Sequence, residues 1–166
     1  MLSIIFFFCI IDLVIRMEYK LTSYNEMDTA SIAENIESEK FENMVICLIG
    51  DLGSGKTVFV KAFARALGIK EHVTSPTFNI IKEYTEGELP LYHMDVYRLE
   101  DTQEDIGIED YFDKNGVTLI EWADMIKEKL PEERLEIRFK ILDEDKRILV
   151  LTPYGKQYED ICEAIA

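Results

Sequence analysis

The stretch GDLGSGKTVF (50–59) decides how the rest of the chain is interpreted. It fits the pattern G-x-x-x-x-G-K-[ST], with Gly50, Gly55, Lys56 and Thr57 at the required places. In such a loop, small residues let successive backbone N–H groups curl around phosphates. The lysine reaches the outer phosphates and the threonine hydroxyl binds Mg²⁺. The stretch predicts a nucleotide-binding loop rather than a simple turn before a helix.

The flanks of the loop meet the structural condition for such a motif, which is a strand before it and a helix after it. The apolar, β-branched run MVICLI (44–49) is typical of a buried strand. The segment KTVFVKAFARALGI (56–69) is typical of an amphipathic helix, with Gly68 where the helix should end. One face of this helix collects Val58, Phe59, Phe63, Ala66 and Leu67.

The segments before and after this unit predict further strands and helices. A helix over about 25–38 is expected to turn Met27, Ala30, Ala33 and Ile36 inward. The remaining predictions are a short strand in EYKLTS, a hairpin around Gly87, a buried strand VTLIEW (117–122), an antiparallel pair turning at DEDK, and a final helix in KQYEDICEAIA. The fold class is therefore α/β, a single P-loop NTPase domain over 17–166 with a mixed, partly antiparallel central sheet flanked by helices.

Composition restricts the class of partner. The chain has 166 residues, 48% of them apolar, and a formal net charge of −15. A surface this acidic repels phosphate backbones, so direct nucleic-acid binding is not expected. The three cysteines are scattered without metal-ligand spacing, which favours a reducing, cytoplasmic compartment, and Cys47 is interpreted as a core residue.

The first sixteen residues, MLSIIFFFCIIDLVIR, form an apolar leader. They are shorter than the roughly twenty residues of a bilayer span and lack the basic start of a signal peptide. A membrane anchor is one interpretation. We favour the hypothesis that translation starts at Met17 and that the leader is a misassigned extension, so no membrane partner is expected.

Two carboxylates stand at strand ends, where open α/β sheets bind ligands. Asp95 lies in LYHMDVYRL and is either a site residue or a solvent-facing carboxylate on an edge strand. Glu121 ends LIE and is either a site residue or a helix-start acid satisfied by backbone N–H groups. Trp122, the only tryptophan, either caps the core or stacks on a base.

Other polar residues give weaker indications. Neither His72 nor His93 has a nearby Ser or Cys and acid in an arrangement that indicates a nucleophilic triad, so both are interpreted as structural. Arg98 is either an ion-pair partner or a phosphate contact. In VTSPTF, Pro76 prevents regular structure around Ser75, which predicts a loop.

Taken together, GDLGSGKT, VTSPTF, LYHMDVYRL, IGIEDYF and LIEW resemble the TsaE (YjeE) family in order and spacing. These are bacterial ATPases needed to make threonylcarbamoyladenosine in tRNA. The resemblance covers about residues 20 to 155. Ser54 replaces a commoner alanine and Ala123 a commoner proline or serine, and both replacements should leave the loop intact.

The resemblance implies a complete set of site residues. The loop would bind ATP through Asp51, Leu52, Gly53, Ser54, Gly55, Lys56 and Thr57, with Trp122 at the nucleotide site. Thr57, Glu121 and Asp95 would serve Mg²⁺, and Lys56, Asp95 and Glu121 would be catalytic. Thr74, Ser75 and Thr77 would form a switch-like loop. TSYNE (22–26) and Arg147 are weaker candidates for nucleotide contacts.

The function implied is Mg²⁺-dependent ATP binding and hydrolysis, with TsaD and TsaB as protein partners and slow turnover in isolation. Three other hypotheses remain open at this point. One is a small-molecule P-loop kinase, one is a nucleotide-gated binding module in which hydrolysis is incidental, and one is a membrane-tethered ATPase that depends wholly on residues 1–16.

Overall fold

The computed structural model describes residues 17–76, 79–101 and 107–166. The predicted leader (1–16) and Thr77 of the predicted switch-like loop lie outside the described residues. The described chain forms one seven-stranded mixed sheet with α-helices packed on it. The predicted α/β class is confirmed.

The strands are β1 (Tyr19–Ser23), β2 (Met44–Ile49), β3 (Ile81–Tyr84), β4 (Leu91–Asp95), β5 (Val117–Glu121), β6 (Arg134–Ile141) and β7 (Arg147–Tyr154). The α-helices are α1 (Glu26–Ser38), α2 (Lys56–Ala66) and α3 (Lys156–Ile165). Short 3₁₀ segments cover Tyr97–Asp101, Ile108–Tyr111 and Ala123–Lys129.

The strand order is β1-β7-β6-β2-β5-β4-β3, with β2 in the centre. Strands β6, β2, β5 and β4 run parallel, whereas β1 and β6 pair antiparallel with β7, and β3 pairs antiparallel with β4. The predicted hairpin around Gly87 and the predicted terminal pair are therefore confirmed. All six residues of β2 are buried, which explains its continuous apolar sequence.

Helix α1 begins within one residue of its predicted start and differs from the prediction in one inward residue. The side chain of Asn25 accepts a hydrogen bond from the Asp28 N–H at 3.0 Å, which satisfies a free N–H of the first turn. Ala33 and Ile36 are fully buried, as predicted. Met27 is 78% exposed, and its predicted inward position is wrong. It lies two positions from the buried Thr29 and so, at about 3.6 residues per turn, on nearly the opposite side of the helix.

The core has two parts, one on each face of the sheet. The larger part packs α1, α2 and α3 onto one face, and Phe59 and Phe63 of α2 are among its fully buried side chains. The other face packs against the 3₁₀ segments and includes Cys47, whose predicted core position is confirmed. Within the described residues, no helix combines the length and the apolar character needed to cross a bilayer.

The predicted site residues come together at the carboxyl ends of the parallel strands. Strands β2, β4 and β5 run parallel, so their carboxyl ends lie side by side. Asp95 and Glu121 end their strands directly opposite one another in the register. Strand β4 lies between β3 and β5, so the interpretation of Asp95 as a carboxylate on an edge strand is wrong.

Candidate nucleotide-binding site

The loop between β2 and α2 adopts a conformation that depends on glycine. Gly50 has φ of 155°, and a Cβ atom there would lie 2.8 Å from the Ser54 Oγ and 2.9 Å from the Phe139 carbonyl oxygen. Gly55, with φ of 108°, immediately precedes the first residue of α2. Since L side chains rarely adopt such angles, the two invariant glycines of the motif are required here by the backbone.

Lys56 is buried beneath this loop. Its ammonium group donates hydrogen bonds to the carbonyl oxygens of Gly50, at 2.6 Å, and of Asp51, at 2.9 Å. The same group lies 4.0 Å from the centroid of the Trp122 ring. Burial lowers the pKa of Lys56, and the negative charges of Glu121 and Asp95 act in the opposite direction.

Three oxygen-bearing side chains meet at the start of α2. The Thr57 hydroxyl donates to Glu121, with its Oγ1 atom 3.1 Å from Oε2. Ser75 Oγ lies 3.3 Å from Glu121 Oε1 and 3.2 Å from Thr57 Oγ1. Glu121 is 3% exposed, so its carboxylate is held by these contacts and by His93 rather than by bulk water. The interpretation of Glu121 as a helix-start acid satisfied by backbone N–H groups is therefore not needed.

Asp95 stands beside this cluster at the end of β4. Its Oδ1 atom accepts a hydrogen bond from the Tyr97 N–H at 3.2 Å. Burial raises the pKa of the Asp95 carboxyl, and the nearby charge of Glu121 acts in the same direction. The two carboxylates thus differ in their surroundings, since Glu121 is buried among hydrogen-bond donors whereas Asp95 is only partly buried.

Trp122 adopts a left-handed backbone conformation, with φ of 62°. Such an angle costs on the order of 1–3 kcal/mol for a residue other than glycine. The backbone N–H of Trp122 donates to the Leu48 carbonyl at 2.9 Å, and the centroid of its ring lies 4.8 Å from that of the Tyr97 ring. The indole is partly exposed and lines the cavity, so it is not simply a cap on the core.

These groups surround a cavity of about 250 Å³. Most of the predicted residues line it: Leu52, Gly53, Ser54, Gly55, Lys56, Thr57, Ser75, Asp95, Glu121 and Trp122. Asp51 and Thr74 are not among the lining residues. Asp51 contributes its backbone carbonyl to Lys56, and the Thr74 hydroxyl accepts a hydrogen bond from Lys82.

Several further residues complete the cavity. Arg147 and Glu26, the latter within the range 22–26, line it, as the weaker indications suggested, and Arg147 donates to the Gly53 carbonyl at 3.4 Å. Thr29 and Val58 also line it and were not predicted. Thr29 belongs to the buried face of α1, and the only available signal was its helical spacing from Ala33.

His93 is the most informative residue that the sequence interpretation missed. Its Nε2 atom lies 2.9 Å from Glu121 Oε1, so it contacts the site although it was interpreted as structural. The signal that could have identified it is the strand alternation that places it on the same face as Asp95.

The oxygen atoms present suit a hard cation. Among residues 17–76, 79–101 and 107–166, no group of three or more His, Cys, Asp or Glu side chains is arranged to hold a metal ion. Mg²⁺ does not need one, because it commonly binds through one or two carboxylates, with waters and substrate phosphates as the remaining ligands. Thr57, Glu121 and Asp95 supply only oxygen donors, and they therefore fit this cation.

Comparisons with known proteins agree on one family. The model of the family described as "Threonylcarbamoyl adenosine biosynthesis protein TsaE" matches residues 23–149. The chain is 48% identical over 149 residues to the Bacillus subtilis (strain 168) protein named tRNA threonylcarbamoyladenosine biosynthesis protein TsaE, a match that covers 90% of this chain and 94% of that protein. A Treponema pallidum (strain Nichols) protein of the same name is 39% identical over 130 residues, with 77% and 96% covered.

A solved structure is also similar. The crystal structure of Bacillus subtilis YdiB has a TM-score of 0.79 and 43% sequence identity, and the match covers 90% of this chain and 95% of that chain. The family model spans both the glycine loop and the two carboxylate-bearing strand ends. The chain belongs to the TsaE family.

Proposed function

We propose that this chain binds ATP with Mg²⁺ and hydrolyses it, and that it does so in threonylcarbamoyladenosine biosynthesis together with TsaD and TsaB. The observation that carries the proposal is the meeting of the Thr57 hydroxyl with the Glu121 carboxylate at 3.1 Å, next to the glycine loop. In P-loop NTPases, a hydroxyl of the loop and a carboxylate from a separate segment hold the Mg²⁺ that takes part in nucleotide hydrolysis.

The loop supplies the phosphate contacts in this proposal. The backbone N–H groups of Gly55, Lys56 and Thr57 lie at the start of α2, where the helix dipole also favours an anion. Lys56 adds a positive charge that is already desolvated and close to the loop. A charge held in a site of low dielectric stabilises the developing negative charge of the transferring phosphoryl group more strongly than one in water does.

Thr57 and Glu121 would hold the cation, with Asp95 beside them. When bound, Mg²⁺ would neutralise part of the phosphate charge and so lower the barrier to nucleophilic attack. Ser75 links the loop over 74–76 to the same carboxylate, which would couple the position of that loop to the site.

Asp95 and Glu121 would orient the attacking water. Both carboxylates line the cavity, and each offers acceptor oxygens to a water O–H group. Because its pKa is raised, the Asp95 carboxylate is a better proton acceptor than the carboxylate of an ordinary aspartate. Trp122 and Arg147 line the same cavity and are available to the base, sugar or phosphates of the nucleotide.

The net charge of −15 supports a protein partner over tRNA itself, because an acidic surface repels the tRNA backbone. We propose that TsaD and TsaB, rather than this chain, contact the tRNA. A reducing cytoplasmic location agrees with the buried free thiols of Cys47 and Cys162.

Phosphate release from ATP by the full chain, alone and with TsaD and TsaB from the same source, tests the proposal. We expect a slow basal rate that changes when the partners are added, with Lys56→Ala as the inactive control. A fast rate of phosphate release that does not change when TsaD and TsaB are added would instead favour a small-molecule kinase. Support of tRNA modification by a variant that binds ATP without hydrolysing it would favour a nucleotide-gated binding module.

A further inference from the structure

The only fully buried histidine among the described residues lies in the middle of β4. His93 is 0% exposed, and its neighbours in the sheet are Leu119 on β5 and Lys82 on β3. It is absent from the residues that line the cavity, so it does not reach a nucleotide there. Any role in the site must therefore pass through another residue.

That residue is Glu121. The Nε2 atom of His93 lies 2.9 Å from Oε1, with both side chains almost fully buried. A carboxylate that binds a cation is ionised and only accepts hydrogen bonds, so in the role proposed below Nε2 carries the hydrogen and donates. Oε1 is also the atom that Ser75 contacts, whereas the shorter contact of Thr57 is to Oε2.

The other ring nitrogen of His93, Nδ1, makes no hydrogen bond with the described residues that would stabilise it in its buried position. Nδ1 is buried and has no hydrogen-bond partner in the described part of the chain. Leaving a buried polar atom unpaired is unfavourable, so an apolar residue would suit this strand interior better if packing alone mattered. Among the described residues, the polar contact of the ring is the hydrogen bond to Glu121, and it is this bond that the histidine supplies.

We propose that His93 is a positioning residue for Mg²⁺ binding. It holds Oε1 of Glu121 in place from behind, and this directs Oε2 and the Thr57 hydroxyl toward the cavity. The inference rests on the proposed function, because it assigns a purpose to Glu121 as a ligand of the cation. Outer partners that orient a ligand in this way commonly change metal affinity by about 10- to 100-fold when they are removed.

Two amide substitutions test whether the site needs a hydrogen-bond donor at the position of His93 Nε2 or only a polar side chain at residue 93. In His93→Gln the amide nitrogen follows the same path from Cβ as Nε2 and can donate to Oε1. In His93→Asn the same amide is one methylene shorter and follows the path of Nδ1 instead. Both variants bury a neutral amide in the same strand, so they form a matched pair.

The readout is binding of a fluorescent ADP analogue as MgCl₂ is raised from an EDTA-treated sample. We expect His93→Asn to raise the half-saturating Mg²⁺ concentration about tenfold or more, and His93→Gln to stay within about threefold of the unaltered chain. Binding of the analogue in EDTA should be equal in all three proteins. Equal Mg²⁺ dependence of the two variants, whether normal or impaired, would overturn the inference.

Nitrogen NMR of the unaltered full chain gives a second test that does not depend on the folding of a variant. The chain has only two histidines, His72 and His93, so the signals can be assigned by replacing His72. We expect the hydrogen of His93 on Nε2, and a hydrogen on Nδ1 alone would overturn the inference. If the unaltered chain bound no nucleotide at any Mg²⁺ concentration, the proposed function would fail, whereas the NMR result would still report on the bond to Glu121.

Discussion

The Thr57 hydroxyl oxygen lies 3.1 Å from Oε2 of Glu121, although the two residues are 64 positions apart in the chain. Parallel pairing of β2 with β5 sets Leu48 opposite Glu121, and the glycine loop then returns the chain to Thr57 above the same strand end. The sheet register thus brings together the hydroxyl of Thr57 and the carboxylate of Glu121.

Replacement of Glu121 by glutamine should separate nucleotide binding from hydrolysis. The amide keeps the size of the side chain but loses one acceptor and the negative charge that would hold the cation. We expect phosphate release to fall by about 100-fold or more, while ATP binding without Mg²⁺ stays within about threefold. Glu128→Gln, which makes the same change at an exposed position outside the cavity, is the matched control. A Glu121→Gln rate within about twofold of the unaltered rate would contradict the assignment.

Lys56→Ala should abolish measurable hydrolysis. The substitution removes the ammonium group that is buried against the loop and leaves the carbonyl oxygens of Gly50 and Asp51 without this donor. We expect the phosphate-release rate to drop by about 100-fold or more. Lys61→Ala makes the same change in net charge on an exposed position of α2 and should leave the rate unchanged. Similar losses in both variants would show that net charge, not the buried contact, matters.

Asp95→Asn should slow hydrolysis by about tenfold or more and yet stabilise the fold at neutral pH. The pKa of Asp95 is raised above its ordinary value of 3.8, so the folded chain holds this proton more tightly than the unfolded chain does. The free energy of unfolding therefore decreases as the pH rises through that raised pKa. The uncharged amide avoids this loss and can still accept from the Tyr97 N–H.

Urea denaturation of the unaltered chain and of Asp95→Asn between about pH 3.5 and pH 8 measures the effect of the Asp95 charge on the free energy of unfolding. The stability advantage of Asp95→Asn should be largest at the alkaline end and should shrink toward the acid end. An advantage that grows on acidification would reverse the sign and contradict the raised pKa.

Gly50→Ala should destabilise the fold by about 1–3 kcal/mol, because both the backbone angle and the space are wrong for a side chain. Its Cβ would lie within 3.0 Å of Ser54 and of the Phe139 backbone. Gly53→Ala is the control for the angle alone, since φ is 75° but no atom lies within 4 Å of the added Cβ. We expect a cost of roughly 1 kcal/mol there. Equal urea midpoints for the two variants would show that the close approach at Gly50 is relieved without cost.

The parts of the fold with local signals were predictable. The glycine loop is specified by its own spacing, the hairpin of β3 and β4 by Gly87 between two strand-like runs, and the start of α1 by the capping residue Asn25. Family membership, predicted from five motifs, is confirmed.

The parts that depend on distant pairing were not predictable from one sequence. Nothing local to LYHMD distinguishes an edge strand from an interior one, and this left Asp95 open until the strand order placed β4 inside the sheet. Strand alternation places His93 on the same face as Asp95, but nothing in one sequence shows that its partner Glu121 lies beside it on another strand. Met27 was placed inward because its apolar character agreed with a helical pattern that in fact centres on Ala33 and Ile36.

The pairing of β1 with β7 has a consequence for how the protein is made. Strand β1 pairs with β7, so residues 19–23 can form their sheet hydrogen bonds only with a strand that is synthesised more than a hundred residues later. The same late strand carries Arg147 to the cavity. Closing so long a loop is entropically costly, and pairing between segments so far apart in the chain is intrinsically slow. On the ribosome, the wall of the cavity that contains Arg147 is completed only after residues 147–154 have emerged from the exit tunnel.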